Sequence, residues 1–140
     1  MNIAYVAGSY GSEDDGVGRW AEHLVTHLVD HDRVSRIDVF ASPAAGRASE
    51  EGETSHFNIT APDAHMDCTL RRHDVSEWGL WAGMRLARRI AATSADLVHI
   101  EYPTNAYGRQ IGINLLPLFL KIVEGAPLHV VVCLHEYRSY

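Results

Sequence analysis

Two stretches of this chain set ionisable side chains directly after apolar runs. They are His99-Ile100-Glu101-Tyr102-Pro103 and Cys133-Leu134-His135-Glu136-Tyr137. A histidine at such a place can donate to a substrate oxygen or carry a proton near neutral pH. His135 follows the last apolar residue of its run and is expected at a strand rim, with Glu101 and Glu136 as nearby carboxylates. The opposing reading makes these three solvated loop residues. His99 lies inside its run and reads as a hydrogen-bonded core residue.

A third feature is Gly16-Val17-Gly18, where a loop meets a helix. Amides at a helix N-terminus attract anions, and glycine permits close approach, so a phosphate or a sugar hydroxyl could dock there. Alternatively, the glycines serve only close helix–sheet packing. The spacing matches neither a dinucleotide fingerprint nor a P-loop. Thr104-Asn105-Ala106-Tyr107-Gly108-Arg109 is a polar loop that suits sugar hydroxyls as well as ordinary turn chemistry.

The elements that must position these groups are legible from periodicity. Ile3–Ala7 is a strand. Val17–Val29 has helical spacing, with Asp15 placed to cap it. Ile37–Ala41 is a second strand, Ser42–His56 a loop, and Phe57–Thr60 a short strand. A helix capped by Asp74 or Ser76 runs to about Thr93. Leu97–Ile100 is a strand, Ile111–Val123 an apolar helix containing Pro117, and Leu128–Leu134 a last apolar strand. Strands apolar on both faces and alternating with helices predict an α/β fold. The expected sheet is Rossmann-like, doubly wound and mostly parallel, with helices on both faces. Ligands bind such sheets at the carboxyl ends of the strands.

The 140 residues are 46% hydrophobic and 21% charged, an ordinary globular balance for one domain. A net charge of −6 argues against a nucleic-acid binder. Full protonation of the nine histidines would carry that charge to +3, so solubility should depend on pH. Cys68 and Cys133 form no metal motif or disulfide framework, and no signal peptide or spanning segment is visible. These features predict a cytoplasmic setting. His23, His27 and His31 recur every four residues, but no carboxylate or cysteine joins them at a metal-binding spacing.

The ordered motifs resemble glycosyltransferase family 4. Ile3-Ala4-Tyr5-Val6-Ala7-Gly8 followed by Asp15-Gly16-Val17-Gly18 is similar to the family's opening. His99-Ile100-Glu101-Tyr102-Pro103-Thr104-Asn105 with Tyr107-Gly108 is similar to its fourth strand and following loop. Val130-Val131-Val132-Cys133-Leu134-His135-Glu136 is similar to the strand and histidine that come next. The resemblance implies a GT-B fold and retaining transfer from a nucleotide-sugar donor to a glycan or lipid-linked acceptor, with no metal or other cofactor. It implies that His135 contacts the donor sugar near the reaction centre and that Gly16, Val17 and Gly18 lie by the diphosphate or reacting sugar. Tyr10, Tyr102, Thr104 and Asn105 would lie on the acceptor side.

The family's second domain grips the nucleotide, and this chain stops at Tyr140. Residues 1–140 are therefore expected to be a partial N-terminal, acceptor-side domain, without the donor-binding domain and inactive alone. The alternatives are a non-catalytic subunit of a split glycosyltransferase and a flavodoxin-like binding domain. Against the last, Asp14 and Asp15 sit in a long loop and no lysine ends the last strand.

Two surfaces suggest partners. In the helix from Ser76 to Thr93, Leu80, Met84, Ala87, Ile90 and Ala91 share one face, with Trp78, Trp81, Arg85, Arg88 and Arg89 opposite. Tryptophan beside arginine suits a partner chain or lipid headgroups, which would place the protein at the inner face of the membrane. The other reading has Asp63–His73 fold over the tryptophans. Ile111–Val123 is apolar almost all round, and a side left without cover would favour a homodimer.

Overall fold

The computed structural model describes residues 1–11, 16–43, 54–57, 68–102, 111–124 and 129–135. Among these residues six strands form one sheet: β1 (Asn2–Ala7), β2 (Arg36–Ala41), β3 (Thr54–Phe57), β4 (Thr69–Asp74), β5 (Leu97–Tyr102) and β6 (His129–Leu134). The helices are α1 (Gly16–Val29), α2 (Leu80–Ala92), α3 (Ile111–Asn114) and α4 (Leu116–Glu124). The strand order is β3-β4-β2-β1-β5-β6. All neighbours are parallel except β3, which runs antiparallel to β4 at the edge.

Alternation along the strands divides the core into two layers. Ile3, Tyr5 and Ala7 of β1, with Ile37, Val39 and Ala41 of β2, pack against Ala21, Val25 and Val29 of α1. Ala4, Val6, Phe40, Val98 and Ile100 face the other way, onto Leu86, Ala87 and Ile90 of α2 and Leu116 and Leu120 of α4. Burying each of the larger aliphatic side chains contributes about 1.5–3 kcal/mol, so both layers are needed to hold the central strands. The result is a Rossmann-like, doubly wound α/β sheet. The chain leaves β1 toward β2 on one side, and later places β5 on β1's other side, so the strand order switches direction at β1. A crevice forms at the carboxyl end of such a switch.

Several elements differ from the sequence expectation. β4 lies within the sheet although its sequence is Thr-Leu-Arg-Arg-His-Asp. Three of its polar side chains, Arg72, His73 and Asp74, are paired rather than solvated. Arg72 Nε meets Asp74 Oδ1 at 3.1 Å, and His73 Nε2 lies 2.8 Å from Asp38 Oδ1. Arg36 Nε reaches Asp38 Oδ2 at 2.9 Å. Residues 69–73 therefore do not fold over the tryptophans, and residues 63–67 lie outside the described residues. The short strand sits at Thr54–Phe57, overlapping the predicted Phe57–Thr60 only at Phe57.

α2 begins at Leu80, with Gly79 as an N-cap that makes no side-chain capping bond. Asp74 ends β4 instead of capping the helix, and Ser76 lies before it. The single helix predicted over Ile111–Val123 is two helices separated at Leu115. Pro117 has no N–H for the carbonyl of Ile113, and its ring crowds the preceding turn, so the break falls just before it. α3 and α2 pack closely through glycines: a Cβ at Gly112 would lie 2.1 Å from the Gly79 carbonyl oxygen.

The predicted tryptophan–arginine surface is divided. Trp78 is buried at 7% exposure, and its indole N–H donates to Ser42 Oγ at 3.1 Å. Arg89 turns inward, donating to the Asp74 carbonyl at 3.0 Å with its guanidinium over Phe40. Trp81, Arg85 and Arg88 remain exposed, with Arg85 paired to Glu77 at 2.8 Å. Leu80, set by periodicity on the face opposite the tryptophans, is 41% exposed as well. Ile111, Leu118 and Ile122 form an exposed stripe on α3 and α4, and Val131, Val132 and Leu134 of β6 are also open. β6, the last apolar strand of the sequence, lies at the edge of the sheet among the described residues. No helix among the described residues is long and apolar enough to cross a membrane.

Candidate functional site

β5 extends two residues beyond its predicted end and so includes Glu101 and Tyr102. This extension makes the site. Leu97, His99 and Glu101 point to the α1 side of the sheet, where Tyr5 of β1 lies beside them. In register, Glu101 is opposite Cys133 of β6, so Cys133 and then His135 share that side.

Glu101 is fully buried, not a solvated loop residue. A buried carboxylate must find donors, and here they converge from three elements. The Tyr5 hydroxyl donates to Oε1 at 2.6 Å, and His99 Nε2 lies 2.8 Å from the same oxygen. His135 Nε2 bonds the other oxygen, Oε2. Burial alone would raise the Glu101 carboxyl. The bonds from His99, Tyr5 and His135, with the charge of His99, outweigh that and hold it at about 2. An ionised carboxylate only accepts, so Nε2 of each imidazole carries the shared proton. In its neutral form the His135 ring then keeps Nδ1 as an acceptor for another molecule.

His99 is the hydrogen-bonded core residue expected from its position. Its ring stacks on Tyr5, with centroids 4.9 Å apart and planes 16° from parallel. The Cys133 thiol is pushed up by burial, then by the charge of Glu101 and a hydrogen bond to it.

Gly16, Val17 and Gly18 form the first turn of α1. Trp20, on the next turn, meets the His135 ring edge-on, with centroids 6.2 Å apart and planes at 73°. The start of α1 and His135 thus share one rim, at the carboxyl end of β1 and β5 where the strand order switches. Among the described residues, a Cβ at Gly16 would meet nothing within 4 Å, so sheet packing does not require glycine there. Gly18 is buried. Its carbonyl accepts the Gly11 N–H at 3.1 Å, and Gly11 itself has φ +69°, which favours glycine.

Of the remaining predicted residues, Tyr10 and Tyr102 do not join this group. Tyr10 lies on the opposite flank of α1, under the Arg72 guanidinium, whose carbon is 5.8 Å from the ring centroid. Burial and then Glu22 push its hydroxyl up to about 12, against the pull of Arg72. Tyr102 is a strand residue rather than a loop residue and points through to the other face, bonding Asn114. It helps line an apolar hollow of about 220 Å³ between α3, α4 and β6. Thr104, Asn105 and Glu136 lie outside the described residues, as does the predicted cap Asp15.

Sequence reasoning noticed Glu101 but not its burial, and it missed Tyr5 and Trp20. Tyr5 reads as one more apolar strand residue. Its polar role follows only from β1 pairing with β5. Compared with known proteins, the chain matches no family model, no curated protein and no solved structure.

Proposed function

We propose that this chain is the acceptor-side part of a retaining glycosyltransferase, handling a nucleotide-sugar donor and a glycan or lipid-linked acceptor. The observation that carries the reading is the meeting of His135 with the start of α1 at the switch of strand order. An open glycine turn with helix amides suits a diphosphate. An imidazole beside it suits the hydroxyls of the attached sugar. Glu101 is a positioning residue: through Oε2 it fixes the ring and its tautomer, and Tyr5 and His99 anchor Glu101 in turn. Such preorganised hydrogen bonds to developing charge carry most of the work in sugar transfer. In this reading Tyr10 and Tyr102 are set aside from the reacting centre, because each lies on a different flank.

The test is saturation-transfer NMR of the 140-residue chain with UDP-glucose and GDP-mannose. Sugar-proton contacts that disappear in His135→Ala and persist in His23→Ala support the reading. No transfer from either donor, or transfer indifferent to His135→Ala, overturns it. The chain by itself is not expected to turn over a nucleotide sugar, and detectable turnover refutes the half-site part of the proposal.

A second reading, a non-catalytic subunit of a split enzyme, is favoured by the open apolar stripe of Ile111, Leu118 and Ile122. Co-purification with a catalytic chain that restores turnover distinguishes it from the first.

A further inference from the structure

We infer that His99, Glu101 and Cys133 form a binding site for one divalent transition-metal ion of the zinc type. The inference is independent of the sugar-transfer reading. A His99 ring nitrogen, a Glu101 carboxylate oxygen and Cys133 Sγ all lie within 4.8 Å of one another. The sheet fixes this arrangement: Glu101 and Cys133 are register partners on adjacent parallel strands, and His99 stands two residues before Glu101 on the same face.

Typical zinc bonds of about 2.0 Å to nitrogen and oxygen and about 2.3 Å to sulfur put neighbouring ligand atoms roughly 3.2–3.7 Å apart. His99 Nε2 and Glu101 Oε1 are now 2.8 Å apart and would open slightly, while Cys133 Sγ would close by rotation about its own side chain. The Tyr5 ring stacked on His99 holds the imidazole plane, as outer partners do in metal sites.

The donor set chooses the metal class. Thiolate with imidazole favours zinc or cobalt over magnesium or calcium, which take oxygen ligands. Charge agrees as well: a doubly charged ion with one carboxylate and one thiolate is neutral, which a partly buried location tolerates. On binding, the Cys133 thiol gives up its proton to solvent, and the His99 ring changes tautomer, its proton moving from Nε2 to Nδ1 so that Nε2 is free to coordinate. Coordination through Oε1 would leave Oε2 on His135, and a water would complete the fourth position of such a three-ligand site.

The experiment is titration of the metal-stripped 140-residue chain with Co²⁺, followed in the visible and near-ultraviolet. One equivalent should produce the ligand-field bands of a four-coordinate ion and a thiolate-to-cobalt charge-transfer band. Zn²⁺ should displace it. Cys133→Ser should abolish the charge-transfer band and weaken binding tenfold or more, whereas Cys68→Ser should leave both intact. X-ray absorption of the zinc-loaded wild-type chain should give one sulfur among lighter ligands, and it reads the site even where Cys133→Ser does not fold. Absence of stoichiometric binding overturns the inference. So does binding without a sulfur ligand, the signature of the exposed His23, His27 and His31 stripe. Neither result touches the nucleotide-sugar NMR, so the two proposals fail separately.

Discussion

Replacing Glu101 by glutamine keeps the shape of the side chain and removes its charge. The structure gives two routes to the cost. Counting bonds, the carboxylate accepts from Tyr5, His99 and His135. Glutamine can keep its oxygen toward Tyr5 and His99, but its amide then meets the His135 N–H, donor against donor. One charge-assisted bond is lost and two are weakened, for about 2–4 kcal/mol. Linkage gives a similar figure. A carboxyl held at about 2 instead of its ordinary 4.5 contributes about 3 kcal/mol at neutral pH.

Because the folded value is depressed, that stability is complete above the unfolded value. It is lost as pH falls through the folded one. The gap between wild type and Glu101→Gln should therefore shrink to roughly half its neutral-pH size, about 1.5 kcal/mol, by pH 3. Urea denaturation of the metal-free chain, followed by tryptophan fluorescence at pH 7 and pH 3, measures both values. Glu77→Gln, at an exposed position, is the control and should stay within about 0.5 kcal/mol of wild type. A gap under about 1 kcal/mol at pH 7, or one that does not change with pH, would show that Glu101 is not the anchored carboxylate described here.

Gly112→Ala should cost about 1–3 kcal/mol, because its methyl would meet backbone oxygens of Gly79 and Trp78 that cannot move alone. Gly16→Ala, with open space around it, should leave the urea midpoint unchanged or slightly raised. Burial would raise Asp38, but the bond and charge of His73 with the charge of Arg36 pull it below the usual range. Asp38→Asn should therefore destabilise at pH 7 by about 1–3 kcal/mol, with the deficit closing as the medium is acidified below the ordinary carboxylate range. Trp81 is 78% exposed beside Arg85 and Arg88, so any flotation of the chain with anionic vesicles should fall in Trp81→Ala. Absence of flotation by the wild type removes the lipid surface altogether.

The layered α/β plan is legible in local patterning alone. Apolar runs in β1, β2 and β5 and the helical spacing of α1 each state a local preference that packing then satisfies. The sequence also marked His99 as a core residue and His135 as a residue at a strand end, since both follow from position within an apolar run. β4 escaped because its stability comes from pairing Arg72 with Asp74 and His73 with Asp38, and such pairs leave no periodic apolar signal. The faces of α2 were misjudged for Trp78 and Arg89, because periodicity cannot say where a helix starts or what lies across from it. The meeting of Tyr5, Glu101, Cys133, His135 and Trp20 was decided only by tertiary structure. These residues come from four elements spread over the whole chain, and only the strand order β2-β1-β5-β6 brings them onto one face. Burial of a charge is a property of its surroundings, and for Glu101 those surroundings exist only once β1, β5 and β6 are side by side.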